Sequence, residues 1–185
     1  SDTGMAAAAA GETGSDQPLD GLPMLSALRR EADGRLIFCG HWRISDWWLD
    51  GHRTRAGEAL LPGTGTFDLL ASALRASGHA GGYILRDISF LSPLAVSDSR
   101  DIRLVLRPAP QGWRFPLPSK VQAGGTSGWQ SHSEGEVALT APASATVDLA
   151  ALRLRCGAAI TGEGLRSPQE AHLNFGPRWR VLRAQ

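Results

Sequence analysis

Residues 47–76 read WWLDGHRTRAGEALLPGTGTFDLLASALRA, and this stretch decides the fold. Phe67, Leu70 and Leu74 have the spacing of one helical face, so we predict a helix over about residues 66–77. A Pro-Gly turn precedes this helix, and His52 lies upstream of the turn. The first backbone N–H groups of a helix have no partner within it and carry a partial positive charge. The stretch therefore predicts an imidazole beside a helix start that can hold a carbonyl oxygen.

The remaining segments favour β-strands around that helix. Residues 101–108 alternate, with Ile102, Leu104 and Leu106 on one face. We predict strands over residues 35–44, 82–91, 101–108, 111–116, 119–123, 129–141 and 178–183. Residues 24–32 favour a short helix or turn, and residues 142–159 favour a loop, apart from the apolar segment 149–154. One helix with several antiparallel strands indicates an α+β domain in which a curved sheet wraps the helix.

The composition is that of one folded domain. The chain has 185 residues, 42% hydrophobic and 20% charged, and we divide it into a flexible tail (1–18) and a domain (19–185). The net charge of +1 gives no electrostatic reason to expect a nucleic-acid partner. No stretch approaches the roughly 20 apolar residues that span a bilayer, so we expect no membrane partner. Cys39 and Cys156 favour reduced, partly buried thiols in a cytoplasmic protein.

A motif within the same stretch points to a family. His52, Gly57, Pro62, Gly63 and Thr64 resemble the histidine-to-proline motif of the dehydratase domains of modular polyketide synthases, which have a double hotdog fold. In that family three residues separate the histidine from the glycine, whereas four separate His52 from Gly57. The chain therefore departs from the family pattern by one residue in this interval.

The resemblance covers about residues 22–183. Further matches, in chain order, are residues 22–25 at the family's opening, residues 87–94 after its central helix, Trp129, His132 and Gly135 on a later strand, and residues 175–177 at the linker into the second hotdog. The resemblance implies a hotdog fold and identifies the chain with the N-terminal half of a double hotdog. A second hotdog half, or a second copy of the chain, would then complete the active site.

The resemblance also implies an activity, the removal of water from β-hydroxyacyl thioesters carried on an acyl carrier protein. Dehydration needs a base that removes the proton next to the carbonyl, and an imidazole, with a pKa near ~6.5, suits that task. His52 is the implied general base, and Gly57, Pro62 and Gly63 are the implied substrate contacts. The implied partners are the acyl carrier protein and other synthase domains. We expect no cofactor beyond the carrier's phosphopantetheine and no metal.

The source of the catalytic acid has two explanations at this point. In the resembled family an aspartate comes from the second hotdog. In the similar single-hotdog dehydratases of bacterial fatty-acid synthesis, an acid five residues after the glycine acts across a dimer, and Asp68 holds that position here. Asp68 also fits a non-catalytic role as a favourable acid in the first turn of the helix. Arg53 and Arg55, if they lie close to His52, would favour its neutral form.

Other interpretations stay open on the sequence. The chain could be an inactive or repurposed hotdog module that binds an acyl chain, mediates dimerisation, migrates a double bond or closes a ring. The tryptophans at 47–48, Phe67 and Leu70 fit either core packing or the lining of an acyl tunnel. Arg178 and Arg180 fit either a solvated strand face or contacts to the phosphopantetheine phosphate or to an acidic carrier protein. We expect His132 to pack near the motif and to have no direct role in catalysis.

Overall fold

Two antiparallel sheets and one long helix dominate the part of the chain that the computed structural model describes, residues 14–141, 146–156 and 165–180. The strands are β1 (Asp16–Pro18), β2 (Ala27–Arg30), β3 (Leu36–Arg43), β4 (His52–Thr54), β5 (Ala59–Leu60), β6 (Gly82–Phe90), β7 (Ala95–Val96), β8 (Ser99–Ala109), β9 (Gly112–Ala123), β10 (Thr126–Thr140) and β11 (Leu173–Phe175). The helices are α1 (Gly63–Ala76) and α2 (Leu149–Cys156). The larger sheet has the order β1-β2-β3-β8-β9-β10-β6, and the smaller one β11-β4-β5-β7.

The core joins the buried face of α1 to the larger sheet. Its members from α1 are Leu69, Leu70, Ala73 and Leu74, and they share one cluster with sheet residues such as Phe38, Trp42, Leu104 and Phe115. Strand β8 shows the predicted alternation in part, because Ile102 and Leu106 are buried whereas Arg107 is exposed. Val105, on the opposite face, is buried as well. The predicted α+β arrangement of a sheet around a central helix is therefore the observed one.

Helix α1 begins at Gly63, earlier than the predicted start at residue 66. Pro62 precedes it with a φ of −66°, a value that the proline ring fixes and that suits a helix entry. Glycine and threonine in the first turn have low helix propensity, and the apolar period begins only at Phe67, so the pattern placed the start too late. At the other end Gly78 has a φ of +93°, the left-handed conformation with which many helices close.

The short helix or turn predicted over residues 24–32 is wrong, because strand β2 lies there. This strand pairs with β1 on one side and with β3 on the other, and Leu28 is buried in the core. The Leu-Arg-Arg-Glu sequence has good helix propensity, but pairing on both sides outweighs that local preference. Strand β1 also lies within the stretch 1–18 predicted as a flexible tail, so the described sheet includes the last residues of that stretch.

The C-terminal part also differs from the prediction. The strand expected over residues 178–183 is replaced by a short 3-10 turn at Pro177–Trp179, and residues 181–183 lie outside the described part. The strand forms earlier in the chain, as β11, which pairs with β4. A proline has no N–H to donate to a strand ladder, which explains why pairing stops before Pro177.

Two further differences concern segment boundaries. The two strands predicted over residues 111–116 and 119–123 form one continuous strand, β9, which pairs with β10 along its length. Within the predicted loop 142–159, the described residues include helix α2, which has no buried residue. Cys39 is partly buried as predicted, whereas Cys156 is exposed, and both are free thiols. None of the helices in the described ranges is long and apolar enough to cross a membrane.

Candidate active site

His52 is a buried histidine at the start of β4, with only 8% of its surface exposed. Its Nδ1 lies 2.9 Å from the carbonyl oxygen of Leu60. Because a carbonyl oxygen can only accept, Nδ1 donates its proton there, and the neutral ring keeps its lone pair on Nε2. Burial lowers the pKa of His52 below its ordinary value, and the hydrogen bond to Leu60 opposes this shift only in part. The neutral ring can therefore accept a proton at neutral pH.

Arg53 and Arg55 hydrogen-bond to neighbouring segments, which differs from their predicted effect on the charge of His52. Arg53 donates to Asp50 at 2.9 Å and to the carbonyl oxygens of Ile44 and Gly57. Arg55 donates to Asn174 at 3.0 Å and to the Glu170 carbonyl. Both guanidiniums thus tie neighbouring segments together. The low pKa of His52 comes from burial, so the expected effect of these two charges is not the cause.

Two aromatic rings cover the imidazole from the C-terminal segment. The ring centres of Phe175 and Trp179 lie 5.5 Å and 5.1 Å from that of His52. Pairing of β11 with β4 sets Phe175 opposite His52 in register. These rings contribute to the burial that lowers the pKa of His52. Neither residue was predicted as part of the site, although an aromatic residue on each side of the Gly176-Pro177 turn was a visible signal.

A pair of glycines allows this close approach. The Gly176 N–H donates to the Gly51 carbonyl at 2.7 Å. A Cβ added at Gly176 would lie 2.7 Å from the Gly51 Cα, a distance that real side chains do not adopt. Gly51 also has a φ of +88°, which favours glycine. The two segments can therefore meet only where neither residue carries a side chain.

A cavity of about 680 Å³, which we call the first cavity, adjoins His52. Its described lining is His52, Leu60, Leu61, Pro62, Gly63, Thr64, Phe67, Phe90, Pro93, Ser167, Gln169, Leu173, Phe175 and Trp179. The start of α1 lies in this wall, and no side chain among the described residues caps it. The Gly65 N–H donates to the Pro62 carbonyl at 2.8 Å, which leaves the N–H groups of Gly63 and Thr64 as the candidate donors of the first turn. The cavity thus places the imidazole of His52 beside the start of α1, and the binding of a carbonyl oxygen at that start stays a prediction.

The structure brings together only some of the predicted substrate contacts. Pro62 and Gly63 line the first cavity with His52, but Gly57 does not. Gly57 is exposed in the turn between β4 and β5, with a φ of +94°, and its N–H donates to the Thr54 carbonyl at 3.0 Å. The interval from His52 to Gly57, which is one residue longer than in the family pattern, runs from β4 into this turn. A loop can absorb an added residue, and His52 keeps its contact to the motif through Leu60.

Asp68 lies on an exposed position of α1 and is not among the residues that line the first cavity. Because the helix begins at Gly63, Asp68 falls in its second turn, so the explanation as a first-turn acid is wrong. A role for Asp68 in a second copy of the chain stays a prediction. The sequence allowed Phe67 either to pack in the core or to line an acyl tunnel, and in the structure it lines the first cavity. Leu70 belongs to the core.

The tryptophans at 47–48 are not among the residues that line the first cavity. Trp48 packs edge-on against Trp42 with ring centres 6.3 Å apart, so it extends the core. Trp47 is 54% exposed, and the Arg178 guanidinium lies 5.8 Å from its ring centre. Arg178 therefore makes a cation–π contact outside a strand, and the predicted strand face is not observed.

His132 is a second buried histidine, held by hydrogen bonds on both ring nitrogens. Nε2 lies 2.7 Å from the Ser119 hydroxyl, and Nδ1 lies 3.0 Å from the Pro93 carbonyl. Burial lowers its pKa as well. The residue lines a second cavity of about 470 Å³ beside the first. Its contacts fit the predicted packing role. No cluster of three or more potential metal ligands occurs among the described residues.

Comparison with known proteins defines the class to which this fold and site belong. The family model described as "Polyketide synthase dehydratase domain" matches residues 23–120, more than half of the chain. The chain belongs to the polyketide synthase dehydratase domain family. The predicted family and its hotdog fold are thereby confirmed.

Individual relatives agree with this assignment. A highly reducing polyketide synthase of Stachybotrys chlorohalonatus is 31% identical over 120 residues, which cover 52% of this chain and 5% of that protein. An inactive mutant of the CurJ dehydratase in complex with a compound superposes with a TM-score of 0.74 at 18% identity, over 88% of this chain and 57% of that one.

Two other solved structures share the fold. The dehydratase domain from the CurF module of curacin polyketide synthase has a TM-score of 0.65 at 20% identity, over 88% of this chain and 56% of that one. A pyran synthase domain from the sorangicin pathway has a TM-score of 0.56 at 19% identity, over 75% of this chain and 49% of that one. The chain spans about half the length of these structures.

Proposed function

We propose that this chain supplies the histidine of a dehydratase active site that removes water from β-hydroxyacyl thioesters on an acyl carrier protein. The observation that carries the proposal is the buried imidazole of His52. Its Nδ1 proton is committed to Leu60, its pKa is lowered by burial, and it lines the same cavity as the start of α1. Such an arrangement supplies a base and a site for the thioester oxygen together.

The proposed reaction follows from this geometry. Nε2 of His52 takes a proton from the carbon next to the thioester carbonyl, and the released electron pair forms the new carbon–carbon double bond. The bond from the β-carbon to its hydroxyl oxygen breaks, and the oxygen leaves as water after taking a proton from an acid. Negative charge that develops on the thioester oxygen is stabilised by the N–H groups at the start of α1.

The acid is proposed to come from a second hotdog. No carboxylate occurs among the described residues that line the first cavity, so this chain alone gives the leaving hydroxyl no acid there. The family resemblance implies an aspartate on the second hotdog's helix. A second copy of the chain, offering Asp68, is the competing source.

The acyl carrier protein and other synthase domains are the partners that this function requires. A cytoplasmic location without a further cofactor remains part of the proposal.

The test is formation of enoyl product from a β-hydroxybutyryl pantetheine thioester, with and without the C-terminal hotdog half. We expect product only with that half, and a loss of about 10²–10⁴-fold in His52→Ala. His41→Ala is the matched control, because His41 is exposed and pairs with Asp101 away from both cavities. A rate that survives in His52→Ala contradicts the proposal. Activity of the chain alone that is lost in Asp68→Asn would assign the acid to a second copy.

A repurposed hotdog remains the second candidate, because the same base could serve ring closure. The fold is shared with a pyran synthase domain, although at 19% identity that similarity extends to the fold alone. A substrate with a second hydroxyl further along its chain separates the two functions. An enoyl product favours dehydration alone, whereas a cyclic ether favours ring closure. No product even with the second hotdog would favour an inactive acyl-binding or dimerisation module.

A further inference from the structure

The first and second cavities share one wall. Both are lined by Leu61, Gly63, Phe90 and Pro93, and their volumes are about 680 Å³ and 470 Å³. Three leucines form the apolar part of its further lining, Leu91, Leu94 and Leu117, and the rest of that lining is polar, namely Thr66, Ser92, His132 and Ser133. The apolar part is suited to hydrocarbon, because burying an acyl chain there removes apolar surface from water.

Three of the four shared residues are fixed by the backbone. The Leu61 N–H donates to the Leu94 carbonyl at 3.0 Å. The Pro93 carbonyl accepts from Nδ1 of His132, also at 3.0 Å. Gly63 has no side chain and forms the start of α1. These residues cannot move aside without disturbing a sheet contact or the helix.

Phe90 is different, because it lines both cavities with a large side chain that is not part of the core. A Cβ added at Gly63 would lie 3.0 Å from the Phe90 Cζ, so the ring lies close to the helix start. The ring also contacts that of Phe67, with 6.4 Å between the ring centres, and 57% of Phe90 is exposed. Truncation of Phe90 therefore changes the shared wall without removing a core residue.

The second cavity can hold part of a substrate but does not provide a second catalytic base. Its histidine, His132, has both ring nitrogens engaged, with Ser119 on one and the Pro93 carbonyl on the other. Neither nitrogen is left to accept a substrate proton. What remains in that cavity is space lined by leucines and by the hydroxyl-bearing residues Thr66, Ser92 and Ser133.

We propose that Phe90 determines acyl-chain specificity by closing the leucine-lined second cavity to the substrate. The inference rests on the proposed function, in which the first cavity holds an acyl thioester. With the ring in place, short β-hydroxyacyl groups are the preferred substrates, since their chains end at the Phe90 ring. Longer linear chains gain binding only when the ring is removed and their last methylenes enter the second cavity.

The test measures binding and needs no turnover. Butyryl and decanoyl pantetheine amides, which cannot be dehydrated, are titrated calorimetrically into the chain, alone and together with the C-terminal hotdog half. We expect Phe90→Ala to raise the affinity for the decanoyl amide relative to the butyryl amide by roughly tenfold or more, the discrimination that a single buried methylene can give. Phe90→Leu, which keeps an apolar side chain, should change the ratio in the same direction by less.

Tyr83→Ala is the matched control. Tyr83 lies on the same strand, is also partly exposed, and lines neither cavity, so its removal should leave the ratio unchanged. The inference is overturned if the ratio of the decanoyl-amide affinity to the butyryl-amide affinity is the same in Phe90→Ala as in the unmodified chain. It is also overturned if the unmodified chain binds neither amide, both alone and with the C-terminal hotdog half. If the ratio shifts but the earlier assay gives no enoyl product, the role of Phe90 in acyl-chain specificity is supported and the dehydratase function is rejected. If enoyl product forms but the ratio does not shift, the dehydratase function is supported and the role of Phe90 is rejected.

Discussion

At the scale of single residues, the neighbours of His52 affect its pKa. The residue type allows a proton transfer near neutral pH, but burial under Phe175 and Trp179 moves its pKa below the ordinary value. A lowered pKa means that the neutral, basic form persists to more acidic pH than in an exposed histidine. The acid limb of the rate profile should therefore lie below about 6.5, the ordinary value of an imidazole.

Removing Trp179 should reverse that shift. In Trp179→Ala the ring of His52 becomes more exposed, so its pKa should rise towards the ordinary value, and the acid limb of the rate profile should move to higher pH. An NMR titration of the His52 ring measures the shift without any substrate. Trp47→Ala is the control, since Trp47 is exposed and lies outside the first cavity lining. An unchanged titration in Trp179→Ala would show that other neighbours keep the ring buried.

At the scale of elements, the two helices differ in how they are stabilised. Helix α1 buries one face in the core, whereas α2 has no buried residue. The position of α1 also matters for function, because its first turn forms part of the first cavity. Tertiary packing on the sheet therefore holds the helix start in place beside the imidazole.

Truncation of one leucine in each helix should reveal this difference. Leu70 is completely buried, so Leu70→Ala should lower the free energy of unfolding by about 2–5 kcal/mol, through lost transfer energy and a residual cavity. Leu154 on α2 is 86% exposed, so Leu154→Ala should change it by no more than about 0.5 kcal/mol. Urea unfolding measures both. Equal losses in the two variants would mean that α2 packs against part of the protein in solution.

At the scale of the whole molecule, the site joins segments that lie far apart in the chain. Strand β11 returns to β4, and the contact between Gly51 and Gly176 lets Phe175 and Trp179 reach His52. The site therefore depends on a junction that neither segment could form alone.

A methyl group at this junction should separate the segments. In Gly176→Ala the new Cβ would meet backbone at 2.7 Å, so we expect a loss of about 1–3 kcal/mol in unfolding free energy. The pKa of His52 should rise as the aromatic residues withdraw. Gly128→Ala is the control, because a Cβ there meets nothing within 4 Å. Thermal unfolding and the same ring titration are the measurements, and a variant that behaves like Gly128→Ala would refute the account of this junction.

Local periodicity and the motif around His52, Pro62 and Gly63 were sufficient to predict the central helix, most of the long strands and the family. Local patterns failed where long-range pairing decided the outcome: β2 forms a strand against its helix propensity, since partners on both sides supply its hydrogen bonds. Only the tertiary structure excluded Gly57 from the cavity, covered His52 with Trp179 and set Phe90 in the lining of both cavities. The physical reason is that burial, and with it the pKa of a base and the shape of a cavity, arises from residues distant in the chain, whose contacts no local spacing encodes.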